Sequence, residues 1–105
     1  LSHEGEEAEM QGVIVEFQYA DDFDPGRIAA IAHEARGRFE AMPGLRQKAF
    51  TIDEPNRRAM NLYLWDSGEL AHDFFGDELV EMVTGLYGVR PSITFVDVAE
   101  FVDNG

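Results

Sequence analysis

The chain has 105 residues, room for one domain, and at this size about 65% of the unfolded surface can be buried. It carries 21 Asp and Glu against 8 Lys and Arg, a net charge of −13, which argues against nucleic acid or an anionic membrane surface as the partner, since both need a basic face. No apolar run approaches the ~20 residues of a membrane span, no leader pattern is seen, and the absence of cysteine removes disulfides, thiolate metal sites and cysteine nucleophiles and makes a cytoplasmic location the expectation.

Residues 1–10 carry Glu4, Glu6, Glu7 and Glu9 and little that packs. They read as a solvated acidic tail, with a single domain over 11–105. Gly12 to Ala20 reads as a strand, with Val13, Val15, Phe17 and Tyr19 alternating on one face. Asp24-Pro25 opens a helix, Asp as N-cap and Pro at the first helical position. Ile28, Ile31, Ala32, Ala35, Phe39 and Met42 form its apolar stripe, and Pro43-Gly44 ends it. Leu45 to Asp53 is a second strand of mixed polarity, and Glu54 to Arg58 a polar hairpin loop.

Ala59 to Trp65 is a third strand. Asn61, Tyr63 and Trp65 share one face, and Met60, Leu62 and Leu64 the other. Asp66-Ser67 supplies a helix cap, with Glu69 placed to close a capping box on Asp66. The helix that follows comes in two pieces, interrupted at Gly76-Asp77. Leu70, Ala71 and Phe74 mark the first; Leu79, Met82, Val83 and Leu86 mark the second. Pro91 to Val102 reads as a long fourth strand, with Ile93, Phe95, Asp97, Ala99 and Phe101 on one face.

The order β-α-β-β-α-β is an α+β, ferredoxin-like arrangement: a four-stranded antiparallel sheet with two helices on one face. The opposite face still carries Ile14, Ala49, Leu62, Leu64, Val96 and Val98, or else their alternates on each strand. So large an apolar patch calls for a partner, and a homodimer with its sheets face to face is expected.

This order, with Pro43-Gly44-Leu45 after the first helix and Trp65-Asp66-Ser67 after the third strand, resembles the dimeric α/β-barrel superfamily. Within it the antibiotic-biosynthesis monooxygenases and the YdhR-type monooxygenase-like proteins look most similar. In the quinone-forming enzymes of that group an Asn and a Trp stand four apart on the third strand and line the substrate cavity. Asn61 and Trp65 match them, and Phe75-Gly76 follows at a similar distance. The Tyr and the Arg of those enzymes fall at Ala71 and near Val80.

The resemblance implies oxygenation of an aromatic or polyketide-type small molecule without a cofactor or metal. Asn61 and Trp65 are then the catalytic candidates, the amide N–H2 and the indole N–H as donors to a substrate oxygen. Tyr63, Phe39, Phe74 and His72 are the candidate substrate contacts, with Phe39 and Phe74 as the opposite wall. The alternatives are a non-catalytic ligand-binding or accessory dimer, a haem-degrading relative ligating iron through His72, and an isomerase or cyclase. Outside that pattern, Asp97 is a candidate general base if buried, Arg57-Arg58 reads as a solvated hairpin tip, and Asp21, Asp22 and Asp24 lack the spacing of a calcium loop.

Overall fold

The computed structural model describes residues 9–104. The tail expected over 1–10 therefore lies, up to residue 8, outside the described residues. The elements in chain order are β1 (Gln11–Gln18), α1 (Pro25–Phe39), β2 (Leu45–Asp53), β3 (Arg58–Trp65), α2 (Gly68–Phe74), α3 (Asp77–Tyr87) and β4 (Ser92–Asp97). The strands form one antiparallel sheet in the order β2-β3-β1-β4, the ferredoxin-like α+β fold.

Register decides which side chains meet. Val13 pairs with Tyr63, Val15 with Asn61 and Phe17 with Ala59 across β1 and β3. Phe50 pairs with Asn61 and Lys48 with Tyr63 across β2 and β3. Because side chains alternate with period two, these residues share the helix-covered face. Val13, Val15, Phe17, Ala59, Tyr63 and Trp65 are buried there with Ile28 of α1, Ala71 of α2 and Tyr87 of α3. Phe17 has no exposure at all, and burying such a ring contributes roughly 2–3 kcal/mol.

Several boundaries differ from the sequence reading. α1 ends at Phe39, three residues before Met42, because Ala41 turns left-handed with φ 61°. β4 stops at Asp97, not Val102, because Asp97 pairs with Gln11, the first residue of β1, and the ladder has no partner beyond it. Ser67, not Asp66, caps α2 by accepting from the Leu70 N–H. Asp66 instead accepts from Arg46 Nε at 2.8 Å. On α3 the buried residue is Tyr87, while Met82 and Leu86 are exposed. Val83 still packs on the core, and Tyr87, four residues on, takes the inward place expected of Leu86. Arg58 is pinned, not a solvated tip: it bonds Asp53 at 2.7 Å and Glu16 at 3.2 Å.

On the face away from the helices, Leu62 and Val96 are exposed, with Ile14 and Leu64 half-buried between strands. Of the two sets of alternating residues that the sequence offers for the uncovered face, this is the one turned away from the helices.

Candidate functional site

The three residues that β3 aims at the helices come to different surroundings. Asn61 is 5% exposed and is the one buried polar side chain among the described residues. Its Nδ2 donates to Tyr87 Oη at 3.3 Å. Tyr87 is fixed from two sides: its ring stacks on Phe17 at 3.8 Å and 6°, and its carbonyl accepts from Tyr19 Oη at 2.7 Å. Burial holds the Tyr87 hydroxyl above the usual tyrosine pKa, against a smaller opposing pull from the Asn61 hydrogen bond. Asn61 and Tyr87 thus form a neutral donor pair. They line the inner end of a cleft of about 270 Å³ between α1 and β2, whose apolar walls include Ile28, Ala32, Phe50 and Ile52. His33, Arg36 and Thr51 are its further polar lining.

Tyr63 and Trp65 belong to an aromatic block. Their rings are nearly parallel at 6.3 Å. Phe74 lies 5.1 Å from Trp65, Phe75 4.9 Å from Tyr63, and Phe39 6.1 Å from Tyr63. Phe39 and Phe74, expected as the far wall of a cavity, are themselves in edge contact at 6.1 Å. The block fills the space between sheet and α2. Burial raises the Tyr63 hydroxyl far above its usual pKa, so it is a neutral phenol and not a base. The Trp65 indole N–H is buried and has no acceptor among the described residues. Such an orphan donor carries a desolvation cost of ~1–3 kcal/mol, and native structures leave few of them without a reason.

Lys48 was not singled out by the sequence reading. It extends from β2 onto the helix-covered face, and its Nζ lies 3.2 Å from the Phe39 ring centroid, 4.1 Å from Phe50 and 4.3 Å from Tyr63. Burial lowers its pKa to about 7; the three ring faces favour the charged form and work against that shift. The available signal was the hairpin register, which puts Lys48 beside Tyr63.

The other candidates lie elsewhere. His72 is exposed and stacks on Phe95 at 3.9 Å, on the β4 side of the fold and outside the α1/β2 cleft. Asp97 is exposed at the end of β4, so the buried general base that the sequence allowed is not formed. Ala71 is fully buried and Val80 partly so. Neither supplies the polar group that the quinone-forming pattern has there. Among the described residues no cluster of His, Asp or Glu could hold a metal ion, and no helix is long and apolar enough to cross a membrane.

No protein-family model matches the sequence, and no curated protein matches it either. Solved structures do match the fold. SnoaB, a cofactor-independent oxygenase from Streptomyces nogalater, superimposes with a TM-score of 0.65 at 10% identity, over 90% of this chain and 98% of that one. The monooxygenase ActVA-Orf6 of Streptomyces coelicolor, solved with the ligand nanaomycin D, gives 0.66 at 14% identity over 93% and 95%. A protein of unknown function from Nitrosomonas europaea gives 0.65 at 15% identity over 94% and 98%. The chain thus has the ferredoxin-like fold of the antibiotic-biosynthesis-type monooxygenases over about nine-tenths of its length.

Proposed function

We propose that the protein is a cofactor-independent monooxygenase of an electron-rich, fused-ring aromatic, working as a homodimer. The observation that carries this reading is Asn61, a buried amide aimed with Tyr87 into an apolar cleft, on the fold of SnoaB and ActVA-Orf6. An anthrone is the type of substrate such a site suits. Its CH2 becomes C=O while O2 supplies that oxygen and leaves with two hydrogens as water. The substrate supplies all the electrons. The protein has to hold the ring, stabilise the enolate oxygen from which an electron passes to O2, and keep bulk water away.

Asn61 Nδ2–H2 is the donor for that oxygen, and Tyr87 supports it from behind. The orphaned Trp65 N–H is a second donor within the same fold layer, reached if Phe74 and Phe75 give way. The exposed Leu62 and Val96 face supplies the dimer contact. The test is oxygen uptake with dithranol above the uncatalysed rate. Asn61→Ala should lower that rate about 10²-fold, the usual cost of an oxyanion donor. Uptake unchanged by Asn61→Ala, or conversion of dithranol without O2, overturns the reading.

A second reading, a ligand-binding dimer without catalysis, draws support from the packed Tyr63–Trp65–Phe74 block. It predicts dithranol binding with no oxygen uptake.

A further inference from the structure

Lys48 is the only lysine in the chain, and it is set among rings. A second recess of about 280 Å³ lies beside it, lined by Phe39, Phe50, Lys48, Arg36, Arg46 and Glu40 among others. Three of the eight basic side chains of a strongly acidic protein therefore gather on one recess. Two of them are satisfied: Arg36 by Glu40 at 3.1 Å and Arg46 by Asp66 at 2.8 Å. Lys48 has no carboxylate partner among the described residues. A partly buried cation is ordinarily paired, and Lys48 meets only the ring faces of Phe39, Phe50 and Tyr63.

We propose that Lys48 is a ligand-binding residue that pairs with the anionic oxygen of an aromatic acid or phenol whose ring lies in the recess beside Phe39 and Phe50, which are themselves in edge contact at 5.9 Å. Arg36 and Phe50 line both this recess and the Asn61 cleft, so the two are adjoining halves of one groove between α1 and β2. Lys48 and Asn61 are diagonal neighbours on paired strands, roughly 7 Å apart. A fused-ring ligand can meet Asn61 at one oxygen and Lys48 at another. The inference deepens the oxygenase reading by naming an acidic group on its substrate, and it rests on that reading for the substrate's identity.

Four groups face the amine or share its recess: Tyr63 of β3, Arg36 of α1, Glu40 at the cap that follows it, and Arg46 of its own strand. Tyr63 stays neutral, and Arg36 and Glu40 offset one another. His33 lines the Asn61 half of the groove, so the part of the pH dependence of anion binding below pH 9 that Lys48→Met abolishes is that of Lys48, whose amine burial holds near 7. The ammonium form binds; the amine does not.

The single lysine makes the test direct. With lysine selectively labelled, the amine is titrated by NMR with and without 1-naphthoate, and affinity is measured by calorimetry from pH 6 to 9 under nitrogen. The neutral 1-naphthalenemethanol serves as control. Naphthoate should raise the Lys48 pKa, bind at least tenfold more tightly at pH 6 than at pH 9, and lose tenfold or more in Lys48→Met. Lys48→Arg should retain binding at pH 9. Naphthalenemethanol should bind Lys48→Met as it binds the native chain. Absence of naphthoate binding, equal affinity in Lys48→Met, or a Lys48 resonance unmoved by naphthoate overturns the proposal. Because no turnover is involved, these outcomes are independent of the dithranol assay.

Discussion

Asn61 and Tyr87 stand 26 residues apart in the chain and meet inside the fold, Nδ2 donating to Oη at 3.3 Å. Neither is buried for its own sake. Asn61 is carried inward by the alternation of β3, and Tyr87 by the last turn of α3 before Gly88 takes a left-handed turn at φ 86°. Removing the acceptor should expose the cost of that arrangement. Tyr87→Phe leaves the amide short of a partner, worth ~1–3 kcal/mol. For a domain this size a loss of 1 kcal/mol lowers Tm by roughly 4–8 °C. Thermal unfolding followed by circular dichroism checks this; an unchanged Tm means the bond carries no stability.

The pH dependence of stability has a definite sign. Burial holds the folded Lys48 amine near 7, against an ordinary 10.5. Between those values the unfolded chain binds the extra proton, so stability rises with pH from about 7 towards 10. Lys48→Met should remove that rise and be more stable than the native chain at pH 7. Urea unfolding at pH 7 and pH 9.5 gives the comparison. Parallel behaviour of the two proteins shows that the amine is not desolvated.

Gly44 turns the chain between α1 and β2 with φ 84°, and a Cβ there would lie 2.6 Å from Leu70 Cδ1. The left-handed backbone alone costs a residue other than glycine ~1–2 kcal/mol. Gly44→Ala should lose at least that much by urea unfolding, with Gly37→Ala, which meets nothing within 4 Å, unharmed.

The exposed apolar sheet face makes a prediction about mass. The native chain should run at twice the monomer mass in light scattering. Leu62→Asp should run as a folded monomer, because one carboxylate in the middle of an apolar contact is left without a partner. A native monomer at high concentration removes the sheet-to-sheet dimer.

The parts of the fold that follow from local alternation were legible in the sequence. Val13, Val15 and Phe17 announce β1, and Asp24-Pro25 announces α1. Asn61 and Trp65 were legible as a pair on one face, but not that one faces a cleft while the other is walled in by Phe74 and Phe75. That difference depends on where α1 and α2 settle on the sheet, which no local pattern encodes. Lys48 was illegible for another reason. β2 is an edge strand, so its polarity is mixed, and a lysine there reads as solvent-facing unless the register with Tyr63 is known. Tyr87 was hidden by Leu86 beside it, since both stand at helical spacing from Val83 and only the stacking on Phe17 selects Tyr87.

The most direct measurement is isotopic. Dithranol is turned over under heavy-oxygen O2 in ordinary water, and the quinone is weighed by mass spectrometry. One heavy oxygen atom in the product, dependent on protein and lost with Asn61→Ala, is the predicted result. A quinone formed at the uncatalysed rate, or a protein-dependent product that contains no heavy oxygen, contradicts it.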